Sequence, residues 1–102
     1  MTTTELTTRQ QFDRNIYNWA RDLTTRELTG TKAWVIGVEL QGIADAYDIS
    51  DLSAAFLDNE LKLRKSHFYL DGHNWSDFHR ATSNNMIQII QRLIARKERV
   101  GA

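Results

Sequence analysis

Imidazole and carboxylate groups crowd into one stretch, His67 to His79, which reads HFYLDGHNWSDFH. His67, His73 and His79 are all the histidines of the chain; they fall six residues apart, and Asp71 and Asp77 each follow a histidine by four. Such groups hold metal ions and move protons, so the chemistry to test first is metal ligation or general acid–base work. The spacing argues against a single site. On one helix face ligands converge when three or four apart, as His67 and Asp71 or His73 and Asp77 are, whereas six residues turn a side chain about 240° round the axis. On a strand six residues share a face but stand roughly 20 Å apart, too far for one ion. Asp71 and Gly72 form a pair that favours chain reversal, which draws His67 toward His73 and leaves His79 outside. No metal or other cofactor is expected. The histidines are read as surface or structural groups, with His67 and His73 the one pair that would reopen the question.

Other chemistries are thinner still. The segment HNWSDFHRATSNN resembles the histidine, asparagine, histidine spacing of the small ββα metal nucleases, but no histidine follows Asn84 or Asn85 to complete the ligand set. Ser53, Ser66, Ser76 and Ser83 lack a nucleophile-elbow setting, and there is no glycine-rich phosphate loop. The absence of cysteine removes thiolate chemistry and disulfides. With no catalytic set assembled, the chain reads as a non-enzyme.

The elements that must position these residues are mainly helical. Thr8 with Gln11 suggests a capping box, and Phe12, Ile16, Trp19, Ala20 and Leu23 then form one apolar stripe. Gly30 stops this helix; Thr24 and Thr25 are poor interior residues that could detach its last turn. Thr31 offers a cap for a second helix, along which Ala33, Ile36, Gly37, Leu40, Ala44 and Tyr47 keep helical spacing. Gly37 and Gly42 inside it mark either close helix packing or the end of a strand. Ser50 is a cap for a third helix carrying Leu52, Ala55, Phe56 and Leu63. The last helix has a wide seam of Met86, Ile87, Ile89, Ile90, Leu93 and Ile94 and a basic end.

The fold class predicted is a mainly α single domain, residues 8–102, after a flexible N-terminus at 1–7. Its four helices span 8–28, 32–48, 51–65 and 76–98, with a turn at 70–74. The alternative is an α+β winged helix with strands at 33–40, 61–70 and 73–77 and a hairpin turning at Asp71-Gly72. Trp19 and Trp34 are expected to anchor the core.

Net charge is zero, but residues 33–61 contain six acids and no base, whereas residues from Lys62 onward carry a net +5. Two opposed charged faces follow, either attracting each other within the fold or meeting a partner. The segment ELQGIADAYDISDLSAAFL has the shape of a helix-turn-helix, with Ala44 at the crossing and Asp51 to Leu57 as the reading helix, yet acids there repel a phosphate backbone. No export signal or run of about eighteen apolar residues is present, so a cytoplasmic location away from membranes is expected. The reading that results is a small adaptor or inhibitor whose partner protein meets Arg64, Lys65, Phe68, Tyr69 and Trp75. The acidic patch would be a second surface, and the C-terminal helix a seam for a homodimer. A helix-turn-helix or winged-helix DNA-binding regulator is the alternative, disfavoured by the acids at 33–61.

Overall fold

The computed structural model describes residues 7–101, with side chains through residue 99, and contains four helices and no strand among them. The flexible tail expected at 1–7 lies outside the described residues except for Thr7, which is the N-cap of α1 (Thr8–Leu28). The capping box therefore sits one residue earlier than the sequence pattern suggested. The Thr7 hydroxyl accepts from Gln10 N at 3.1 Å, and Gln10 Oε1 accepts from Thr7 N at 2.9 Å. Phe12, Ile16, Ala20 and Leu23 form the buried stripe of α1.

Threonines do not break the last turn. Thr24 is buried and its hydroxyl donates back to Ala20 O at 2.8 Å, a bond that fits the helix rather than opening it. Gly30, at φ 111°, ends the helix: Thr31 N reaches Arg26 O at 2.9 Å and Gly30 N reaches Glu27 O at 3.3 Å. That pair of bonds is the Schellman stop, and it requires the left-handed conformation glycine tolerates.

After that reversal α2 (Ala33–Ala46) buries Ile36, Leu40 and Ala44. Thr31 is not its cap; Lys32 occupies that position and offers no side-chain hydrogen bond. At its other end Arg96 Nη1 donates to Ala44 O at 2.9 Å and to Tyr47 O, and Lys97 Nζ reaches Ile49 O at 3.4 Å. Part of the basic C-terminal block is thus engaged on the acidic block's backbone, as expected where cations meet the negative end of a helix.

Ser53, not Ser50, caps α3 (Ala54–Asp71), accepting from Phe56 N at 3.0 Å. Ser50 instead donates to Asp48 Oδ1 from its amide and hydroxyl, a local turn that also holds the Asp48 carboxyl below its ordinary range. The predicted hairpin is absent: residues 61–70 are helical, and Gly72–Asn74 form a single 3-10 turn leading into α4 (Asp77–Gly101). Gly72 is itself in the right-handed helical region, so Asp71-Gly72 works as a corner between two helices instead of a strand turn.

The isoleucine seam of α4 is interior. Met86, Ile87, Ile89, Ile90 and Leu93 are buried, and α4 is the central helix against which α1, α2 and α3 pack. The two tryptophans expected in the core are outside it: Trp34 is 70% exposed, and Trp19 lies at the rim with its ring edge-on to Tyr47 at 5.5 Å. The reason is angular, since Ile36, Leu40 and Ala44 define the buried face of α2 and Trp34 falls on the opposite one. A polar bridge fastens α1 to α4: Thr24 Oγ1 accepts from Thr82 Oγ1 and from Asn85 Nδ2, each at 3.0 Å, while donating to Ala20. Its one donor and two acceptor sites are all used. No helix among the described residues is long and apolar enough to cross a membrane.

Candidate functional site: the α3–α4 corner

The corner is built from the inside outward by packed rings. Phe68 meets Trp75 edge-on at 6.0 Å, and Trp75 stacks on His79 at 4.2 Å and 14°. The stack sets the exposed His79 ring against the indole face of Trp75, which precedes the start of α4. Ser76 caps α4 by accepting from His79 N at 3.1 Å. Arg80 then closes the corner: Nε donates to Gly72 O and Nη2 to Trp75 O, both at 3.0 Å, while Nη1 pairs with Asp77 at 3.2 Å. Three partners leave that guanidinium little freedom. The corner is therefore a packed and hydrogen-bonded floor.

Above the floor runs the outer face of α3. Lys62 with Lys65 and Ser66, and Tyr69 with the same two, lie three or four residues apart, and all four are exposed. Tyr69 is 89% exposed and Leu70 66%. A shallow cleft of about 440 Å³ opens beside them, lined by Phe68, Tyr69, Gly72, His73 and Arg80.

The five residues expected to meet a partner are therefore divided. Lys65 and Tyr69 stand on the surface; Phe68 and Trp75 are half-buried and form the floor. Arg64 turns inward, 2.9 Å from Asp13 on α1, with Nη1 at 3.8 Å from Met86 Sδ. Leu70 and Lys62 were missed. Lys62 shares the three-residue step to Lys65 and was readable as its neighbour, whereas Leu70 passes for a core leucine until the register of α3 is known.

The histidines do not assemble. His67 on α3 and His73 in the 3-10 turn are exposed, and no three His, Asp or Glu side chains among the described residues group so as to hold an ion. The helix-turn-helix segment also differs from its expected form. Residues 47–53 separate α2 from α3, longer than the three- or four-residue turn of that motif, and Asp58 and Glu60 sit near the start of α3.

Between α1 and α3 two carboxylates, Asp13 and Glu60, meet two guanidinium groups, Arg9 and Arg64. Arg9 Nε approaches Glu60 Oε2 at 2.9 Å, and Arg64 pairs with Asp13. Glu60 Oε1, Asp13 Oδ1 and Arg64 Nε are nevertheless buried without an aligned hydrogen-bond partner. Burial first, then the neighbouring Asp13 carboxylate, pushes the Glu60 carboxyl above its ordinary range. The cluster joins two helices, so it bears on stability.

Comparison of the chain with protein-family models, with curated proteins and with solved structures finds no match.

Proposed function

We propose that this protein is a small adaptor- or inhibitor-type module of the cytoplasm that binds a partner protein at the α3–α4 corner. The segment it takes is acidic and carries an aliphatic or aromatic anchor. The observation that carries this reading is the outer face of α3, where Tyr69 and Leu70 stand bare between the core-packed floor and two exposed lysines, Lys62 and Lys65. Apolar side chains that open to water, beside a floor already ordered, gain by being covered and lose little freedom in the process. The ammonium groups select carboxylates and speed their approach.

Selection of random peptides displayed on phage against the full chain tests this. Enriched sequences are expected to combine Asp or Glu with a large apolar residue, and their binding should weaken with added salt. Tyr69→Ala with Leu70→Ala, and separately Lys62→Glu with Lys65→Glu, should each weaken those peptides by roughly tenfold or more. Trp34→Ala, on another face, should leave them unchanged. Peptides without acidic bias, or indifferent to the α3 variants, overturn the reading, as does steeply salt-dependent retention by duplex DNA in their place.

A further inference from the structure

α2 contains two glycines that nothing inside the molecule explains. A Cβ added at Gly37 or Gly42 would meet nothing within 4 Å, and neither has a positive φ. Each weakens the helix relative to alanine. Both flank the outer face of α2, where Trp34, Val38, Gln41 and Asp45 follow at four-, three- and four-residue steps. Val38 is 63% exposed beneath the exposed Trp34. One helix therefore presents a bare indole and, two turns further on, a bare backbone.

We infer that α2 is the seam of a two-fold homodimer in which the Trp34 of each copy seats in the groove beside Gly42 of the other. That groove, of about 570 Å³ between α1 and α2, is lined by Trp19, Leu23, Val38, Gly42, Ile43 and Ala46 together with Asp22 and the Arg26–Glu39 ion pair, so an indole entering it meets apolar side chains beside charged ones. Its self-complementarity is a matter of register. Trp34 and Gly42 lie four residues either side of Val38, about 6 Å along the axis in each direction. An antiparallel second copy with its two-fold axis at Val38 thus brings knob onto hole twice over, as an isologous interface requires.

Charge fits the same arrangement. Lys32 and Asp45 lie six and seven residues from Val38 on opposite sides, so each lysine meets the other copy's aspartate. The start of α2 has no side-chain cap and no acid in its first turn. The second copy's Asp45 supplies negative charge where those amide groups are free. A single helix face is smaller than the roughly 800 Å² per partner of a standard interface, so the dimer is expected to be a weak one that forms as concentration rises.

Sedimentation equilibrium of the full chain, from low micromolar to submillimolar concentration, tests the inference. The average mass should rise from 11.8 kDa toward twice that value. Trp34→Ala and Gly42→Leu should stay monomeric while keeping the helical circular dichroism of the parent. Lys32→Glu or Asp45→Lys alone should weaken association by roughly tenfold, and the double variant should restore it, because the exchanged charges face each other again. Tyr69→Ala, at the α3–α4 corner, should leave association intact. A mass of 11.8 kDa throughout, self-association of Trp34→Ala equal to that of the parent, or a double variant no tighter than the singles overturns the inference.

Discussion

Replacing Glu60 by glutamine is expected to stabilise the protein at neutral pH, against the usual outcome for a buried residue. The Glu60 side chain is 4% exposed, and its Oε1 has no hydrogen-bond partner. An unpaired buried polar atom costs about 1–3 kcal/mol. The introduced amide would place a donor beside Asp13, whose Oδ1 faces Arg64 Nη2 at 2.9 Å. What the substitution removes is the Arg9 pair, and Arg9 is 56% exposed, so solvent screening limits that loss to roughly 0.2–1 kcal/mol. The net gain is about 1 kcal/mol, or a melting temperature higher by roughly 4–8 °C in a domain of this size. Its pH dependence separates this cause from others. The folded carboxyl titrates above its unfolded value of 4.5, so the wild-type contribution is fully present below that pH and is lost as pH rises through the folded value. The advantage of Glu60→Gln should therefore be absent near pH ~4 and should grow toward neutrality. Thermal melts of both proteins followed by circular dichroism across that range measure it. A variant that melts lower than the parent at neutral pH, or a difference independent of pH, would refute the reasoning.

Further predictions concern other parts of the fold. Thr24→Val keeps shape but takes the acceptor from Thr82 Oγ1 and from Asn85 Nδ2, which retains only the long contact to Glu27 Oε1 at 3.5 Å, and should cost about 2–3 kcal/mol in urea unfolding. Arg96→Met should lower stability by roughly 1 kcal/mol by exposing the Ala44 and Tyr47 carbonyls at the end of α2, with amide exchange quickening first near residues 44–49. Gly37→Ala, with open space around its Cβ, should raise the melting temperature at low micromolar concentration by an amount equivalent to about 0.5–1 kcal/mol. Ile89→Ala, in the fully buried seam of α4, should cost about 2–5 kcal/mol.

The candidate corner was only partly legible in the sequence. The aromatic content near Asp71 and Gly72, and the onset of basic residues at Lys62, are local and visible as such. The Asp71-Gly72 pair predicts a turn, and a chain reversal does occur there, but helix against helix instead of strand against strand. Dipeptide preference reports a change of direction and is silent on what flanks it. That one difference extends α3 through residues 66–71, and the extension is what lifts Tyr69 and Leu70 onto the surface beside Lys65.

The sequence by itself determined that this chain makes helices and which stripes are apolar. The spacing of Phe12, Ile16, Ala20 and Leu23, and of Met86, Ile89, Ile90 and Leu93, places each set on one side of a 3.6-residue helix whatever it packs against. Only tertiary structure decided which groups from distant segments meet. Arg64 turns to Asp13, Arg96 closes the end of α2, Thr24 receives Thr82 and Asn85, and Trp34 is left in water because smaller side chains on the opposite face of α2 fill the core. Periodicity sets the angle of a side chain about its own helix, whereas its partner depends on how four helices share one interior.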